Sequence, residues 1–163
     1  MVRAPVRLRG DLGKHGSTVR MVRAASRTAV DSRVGVLVVD DCAEARAAIE
    51  DAVVHTQGFE LAGSVSSGEE ALELLTRVQP ELVLLDVRMP GLNGPETCRA
   101  IRETGARSVV VLVSAHRRAE LPDSVDTCGA AAVLYKGDVS PRRLAALWQS
   151  VQPQRSEAAA LTS

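Results

Sequence analysis

Aromatic residues are nearly missing from this chain, which contains only Phe59, Tyr135 and Trp148. Its core must therefore be built mainly from Val, Leu, Ile and Ala. Such a core suits parallel strands that are buried on both faces beneath Ala-rich helices. The 163 residues leave room for one domain with a full core but little room for a second folded domain.

Long apolar segments and paired cysteines are also missing. No apolar stretch approaches the roughly 20 residues that span a bilayer, and the N-terminus lacks the apolar segment of a secretory signal. Cys42, Cys98 and Cys128 show no CxxC spacing, which argues against a disulfide framework or a zinc site. We therefore expect a soluble, cytoplasmic protein with reduced thiols and no membrane partner.

The formal net charge of zero hides an uneven distribution. Residues 1–33 contain eight Lys or Arg and two acidic residues, a net charge of +6, so the remaining residues carry −6. Because 1–33 shows no sustained strand or helix period, we expect a basic, disordered arm there, with Met21 as an alternative start. The acidic remainder argues against nucleic acid as the main partner. DNA binding through the arm stays an alternative, and in that case deleting residues 1–33 would abolish a salt-sensitive interaction with DNA.

From residue 34 onward, short apolar runs alternate with amphipathic segments. This alternation predicts an α/β fold with a doubly wound, five-stranded parallel sheet. The expected domain covers residues 34–151 and is followed by a flexible tail at 152–163. The predicted strands are 34–39, 60–64, 82–85, 108–113 and 131–135, and the predicted helices are 43–55, 69–78, 95–103, 122–128 and 141–151.

Polar side chains follow four of the five predicted strands. Asp40 and Asp41 follow the first strand, Asp86 the third, Ser114 the fourth and Lys136 the fifth. Because ligands bind beyond the carboxyl ends of the strands in an open α/β sheet, we expect these side chains to converge. Three close carboxylates require a cation.

This set of side chains suits the transfer of a phosphoryl group to a carboxylate. Asp86 is the candidate nucleophile, and Asp40 and Asp41 are candidate ligands of Mg²⁺, which prefers oxygen donors. Lys136 and Ser114 would contact the phosphoryl oxygens as a charge and a hydrogen-bond donor. Taken singly, Asp86, Lys136 and Ser114 are better explained as loop, cap or surface residues, and only the acidic pair Asp40 and Asp41 is not. Their coincidence at one edge is what favours a site.

Two motifs resemble those of a response-regulator receiver domain: VLVVDD at 36–41 and LLDVRMPG at 84–91. The resemblance continues through VSA at 113–115 and GAA at 129–131 to Lys136, and it covers roughly residues 34–151. It implies a flavodoxin-like sheet with the strand order 2-1-3-4-5.

The resemblance also assigns roles to the candidate residues. Asp86 would accept a phosphoryl group from a sensor histidine kinase or a phosphotransfer protein. Asp41, Asp86 and the main-chain carbonyl of Arg88 would bind Mg²⁺ directly, and Asp40 would act through water. A phosphoprotein of this kind promotes its own phosphorylation and is not a turnover enzyme on an external substrate.

The chain departs from the family pattern at three positions. Val133 stands where the family has an aromatic residue, and we expect Tyr135, on the same face of the strand, to cover part of that role. Gly137 replaces the proline that commonly follows the family lysine, so no cis peptide bond is expected there. Pro122 falls within the predicted fourth helix and should delay or kink it.

These features support a single-domain response regulator that signals by binding an unknown downstream protein, since only 12 residues follow residue 151. The alternative is a protein interaction module that works without phosphorylation, with a homodimer as one form. A phosphatase with an Asp nucleophile is a third candidate. Such enzymes usually place a second catalytic Asp where this chain has Arg88.

Overall fold

The structure, a computed structural model, describes residues 20–21 and 33–160, with side chains described from 33 to 152. Most of the basic arm expected at 1–33 therefore lies outside the described residues, as does the end of the expected tail. None of the described helices is both long and apolar enough to cross a membrane.

Within the described residues, six strands form one sheet in the spatial order β1-β3-β2-β4-β5-β6. The strands are β1 Arg20–Met21, β2 Val34–Val39, β3 Phe59–Val65, β4 Leu82–Asp86, β5 Val109–Ser114 and β6 Ala132–Tyr135. The five strands from β2 onward are parallel. Counted from Val34, they have the order 2-1-3-4-5, so the predicted flavodoxin-like sheet is confirmed.

Helices connect the parallel strands, and polar residues fix where two of them begin. The helices are α1 Ala43–Val54, α2 Gly68–Val78, α3 Gly94–Glu103, α4 Ser124–Thr127 and α5 Pro141–Ala160. At the start of α2, the Ser67 side chain accepts a hydrogen bond from the Glu70 amide. At the start of α3, Asn93 and Glu96 form a capping box around Pro95.

The core consists of two apolar layers, one on each face of the sheet. One layer contains Val36 and Val38 of β2 and packs against α1 and α5, whereas Leu37 and Val39 belong to the layer against α2 and α3. This alternation follows from the two-residue period of a strand. Both layers are built mainly from aliphatic side chains, as the scarcity of aromatic residues predicted.

Several local expectations were wrong or only partly right. Strand β1 was not predicted, and it pairs antiparallel with β3 at Gly63 and Ser64. Helix α5 continues through the expected tail as far as Ala160.

The two expectations about proline and glycine in the last third of the domain are confirmed. Pro122 precedes a fourth helix that begins only at Ser124 and makes a single turn. Every described peptide bond is trans, including the one between Lys136 and Gly137.

We predict that Gly94→Ala destabilises the domain by about 1 to 3 kcal/mol. A Cβ at Gly94 would collide with the main-chain oxygen of Asp86 and lie 2.8 Å from the Cα of Val87, so backbone rather than a flexible side chain must move. Urea unfolding measures the effect.

Gly105→Ala is the matched control for this substitution. Gly105 has open space around its Cβ position but a φ of +75°, so alanine there should cost about 1 kcal/mol through the left-handed backbone alone. A Gly94 variant no less stable than the Gly105 variant would contradict the prediction.

Candidate functional site

Three carboxylates meet at the carboxyl edge of the sheet, as the sequence predicted. Asp40 and Asp41 follow β2, Asp86 ends β4, and one oxygen from each lies within 4.8 Å of the others. Asp40 is completely buried and Asp86 is 6% exposed, whereas Asp41 faces solvent. The pairing of β2 with β4 brings the two strand ends together.

Every polar atom of Asp40 has a partner. Its amide donates to the Val65 carbonyl at 3.2 Å, and its main-chain oxygen accepts from Arg46 Nη1 at 2.7 Å. Its Oδ1 accepts from the Cys42 amide at 2.9 Å, and its Oδ2 lies 2.6 Å from Lys136 Nζ. Asp40 is therefore a fixed point of the site rather than a mobile surface acid.

Lys136 bridges the two buried carboxylates. Its Nζ lies 2.6 Å from Asp40 Oδ2 and 3.1 Å from Asp86 Oδ1. Burial alone would lower the pKa of Lys136, but its contacts with Asp40 and Asp86 outweigh burial and raise the pKa above its usual value. The ammonium group is therefore charged at neutral pH and compensates part of the buried negative charge.

The pKa of Asp86 is raised to about 6. Burial is the largest cause, followed by the charge of Asp40, with a smaller contribution from Asp41. Lys136 opposes this rise in pKa through its charge and its hydrogen bond to Asp86. At pH 7.5 Asp86 is still mostly ionised, so it carries the negative charge that a carboxylate nucleophile needs.

The residues at this edge fit a magnesium ion. Three ionised carboxylates and one ammonium group leave a charge of −2, which a divalent cation would neutralise. All the donors are oxygen atoms, the ligands that Mg²⁺ prefers. Arg88 lies in the loop after β4 with its side chain exposed, and the role expected for its main-chain carbonyl remains a prediction.

Ser114 occupies the end of β5, beside β4, and is 1% exposed. Its Oγ accepts a hydrogen bond from the His116 amide at 3.0 Å, so it also shapes the loop that follows. The sheet register places Ser114 opposite Tyr135, the residue before Lys136. The structure thus brings the five predicted side chains to one edge of the sheet: Asp40, Asp41, Asp86, Ser114 and Lys136.

Tyr135 forms part of a stack that the sequence did not reveal. The Arg117 guanidinium carbon lies 4.3 Å from the centre of the Tyr135 ring. A Cβ at Gly137 would lie 2.5 Å from the Cε1 atom of the same ring. The ring therefore lies against Gly137 and contacts Arg117, linking the loops after β5 and β6.

Arg46 and Glu69 each hold a loop of the site, and the sequence analysis identified neither residue. Glu69 of α2 accepts a hydrogen bond from the Leu92 amide at 3.0 Å and so holds the loop after β4. Arg46 holds the loop after β2 through the Asp40 carbonyl. The sequence signals one related contact, because Arg46 and Glu50 are four residues apart on a helix and can form an ion pair. The hydrogen bonds of Arg46 and Glu69 to the two loops cannot be read from residue spacing.

The family model described as "Response regulator receiver domain" matches residues 36–149. The chain is 32% identical over 118 residues to the response regulator UvrY of Escherichia coli strain K12, covering 72% of this chain and 54% of that protein. It is 31% identical over 122 residues to the response regulator GacA of Pseudomonas aeruginosa, covering 75% and 57%. The chain thus spans about half the length of these relatives.

A solved structure shows the same fold. The signal receiver domain of the putative response regulator NarL from Mycobacterium tuberculosis superposes with a TM-score of 0.66 at 29% sequence identity. The match covers 77% of this chain and 98% of that domain.

We predict that Asp86→Asn stabilises the metal-free protein at pH 7.5 by up to about 2 kcal/mol. The folded pKa of about 6 exceeds the usual value of 3.8. The stability contributed by Asp86 is therefore fully present below pH 3.8 and is lost as the pH rises through about 6. Urea unfolding in a chelator should show a larger gain at pH 7.5 than at pH 5.

Asp123→Asn is the matched control for this measurement. Asp123 is exposed and makes no side-chain capping hydrogen bond, so its substitution should change stability little at either pH. An Asp86→Asn variant that is less stable than the wild type at pH 7.5 would contradict the unfavourable burial and charge repulsion of ionised Asp86 described above.

Proposed function

Because this chain belongs to the response regulator receiver family, we propose that it accepts a phosphoryl group on Asp86 in a two-component phosphorelay. The observation that carries the proposal is the ion pairing of Lys136 with both Asp40 and Asp86 beside a third carboxylate. We assign the function to residues 34–151, with the basic arm and the C-terminal residues outside this unit. A cytoplasmic location is part of the proposal.

The proposed donor is a phosphohistidine on a sensor histidine kinase or a phosphotransfer protein. A carboxylate oxygen of Asp86 attacks the phosphorus atom, the new O–P bond forms as the N–P bond breaks, and the electron pair stays with the histidine nitrogen. Lys136 stabilises the charge on the transferred oxygens, and the Ser114 hydroxyl donates a hydrogen bond to one of them.

The proposed cofactor is Mg²⁺, held by Asp41, Asp86 and the Arg88 carbonyl, with Asp40 acting through water. When bound, it supplies charge neutralisation for the phosphoryl oxygens. The protein's own contribution is to orient Asp86, to shield it largely from solvent and, through Lys136, to oppose the rise in pKa that burial causes. The proposed unit is therefore a phosphoprotein that promotes its own modification rather than a turnover enzyme.

Signalling would pass to a downstream protein through the segment around Tyr135. We propose that the Arg117 and Tyr135 stack couples the state of Asp86 to residues 115–121, in place of the aromatic residue that Val133 replaces. Tyr135 is suited to this role because it neighbours Ser114 across the sheet and precedes Lys136 in the chain.

A receiver-like module that binds partners without phosphorylation is the second candidate. The shortened α4 favours it, because a cleft of about 730 Å³ lies between residues 87–95 and 119–124. Val87, Met89 and Leu121 line part of this cleft. We also propose that the receiver acts without an output domain of its own and that a homodimer is one form of the protein.

Incubation with Mg²⁺ and acetyl phosphate should add one phosphoryl group to the wild-type protein, as intact mass will show. Asp86→Asn should remove this addition, because no other described carboxylate shares the contact with Lys136 except Asp40, which is fully buried. Asp123→Asn is the control and should be phosphorylated normally. A wild-type protein that takes up no phosphate would favour the module that binds without phosphorylation.

Tyr135→Ala should uncouple residues 115–121 from the site. Hydrogen exchange of this segment should change on phosphorylation in the wild type and in Tyr135→Phe, which keeps the ring against Arg117. In Tyr135→Ala the change should be lost although phosphate is still added. An identical exchange response in the alanine variant would remove the proposed role of Tyr135.

A further inference from the structure

Arg46 lies in a continuous line of polar contacts that starts at the acidic site. Its Nη1 donates to the main-chain oxygen of Asp40 at 2.7 Å, and its Nε lies 3.9 Å from Glu50 Oε1. The same Glu50 oxygen accepts a hydrogen bond from the hydroxyl of Ser64 on β3. The line therefore runs from the end of β2, over α1, to the neighbouring strand.

The contacts of Arg46, Glu50 and Ser64 are largely shielded from water, which strengthens them. The side chains of Arg46 and Glu50 are 17% and 19% exposed, and Ser64 is 2% exposed. A charged donor at 2.7 Å from a completely buried carbonyl is a strong hydrogen bond, and loss of the donor leaves that carbonyl unsatisfied. Arg46 therefore does more than form an ion pair with Glu50 on the helix surface, because it also holds a buried carbonyl of the site.

The carbonyl that Arg46 binds belongs to the peptide unit joining Asp40 to Asp41. A peptide unit is planar, so fixing its oxygen also fixes the direction in which the chain enters Asp41. The Asp40 side chain contacts Lys136 and the Cys42 amide, and this amide belongs to the next peptide unit along the chain. Arg46 therefore holds the peptide unit from which the exposed Asp41 side chain projects.

We propose that Arg46 is a positioning residue for the metal site, which sets the Asp40–Asp41 peptide so that Asp41 faces Asp86. This inference rests on the proposed function, because it concerns the Mg²⁺ that would bind there. The guanidinium charge alone would act in the opposite direction, since a cation near three carboxylates repels a second cation. Positioning and charge therefore make opposite predictions for the loss of Arg46.

The test compares Arg46→Met and Arg46→Lys with the wild type. Arg77→Met is the matched control, since Arg77 is exposed in the last turn of α2. We expect Arg46→Met to raise the Mg²⁺ concentration for half-maximal phosphorylation by acetyl phosphate about fivefold, with a near-normal rate at saturating Mg²⁺. Arg46→Lys, which keeps a charged donor, should recover part of the loss, and Arg77→Met should match the wild type.

Two measurements do not depend on phosphorylation. The Mg²⁺ concentration that gives half-maximal thermal stabilisation should rise by a similar factor in Arg46→Met. In the metal-free protein, the Cys42 amide, which donates to Asp40 Oδ1, should exchange faster in Arg46→Met than in the control. Ser64→Ala, which leaves Arg46 in place, should produce smaller shifts in the same direction.

An unchanged or lower half-saturating Mg²⁺ concentration in Arg46→Met would overturn the proposal, and a lower value would show that the charge of Arg46 dominates. Unchanged exchange at Cys42 would overturn it equally. Failure of the proposed function is distinguishable, because then the wild type itself would take up no phosphate and gain no stability from Mg²⁺. If Arg46→Met does not fold, Arg46→Lys and Ser64→Ala carry the same comparison.

Discussion

The contact of one ammonium group with two buried carboxylates is the constraint on which this architecture depends. Asp40 is fully buried, and a carboxylate in that position is tolerated only with a partner charge and with hydrogen bonds to its remaining atoms. Lys136 supplies the charge from the far end of the chain's last strand. The parallel sheet is what brings these distant residues together, because its strands all end at one edge.

The negative charge at this edge is only partly neutralised, since Lys136 is one cation beside three carboxylates. Burial and the remaining negative charge together raise the pKa of Asp86, so its ionised form costs stability at this edge. The two aliphatic layers beneath it supply the stability that the site lacks. Sites for ligands are often less stable than the elements that support them, and here the same carboxylates produce both effects.

Much of this arrangement was predictable from the sequence, for reasons visible in particular residues. Buried parallel strands read as unbroken apolar runs, so β2 and β4 and the acids that end them could be located directly. Strand β1 could not, because two residues, Arg20 and Met21, carry no period. The contacts of Arg46 with the Asp40 carbonyl and of Tyr135 with Arg117 depend on how loops fold over the sheet edge, which no spacing encodes.

The packing of Tyr135 against Gly137 ties the evolution of these two positions together. The ring occupies the space that any side chain at 137 would need. A lineage that acquired a larger residue at 137 would have to move or lose the ring at 135 first, and with it the contact to Arg117. Among close relatives, the two positions should therefore change as a pair, with a small residue at one accompanying a ring at the other.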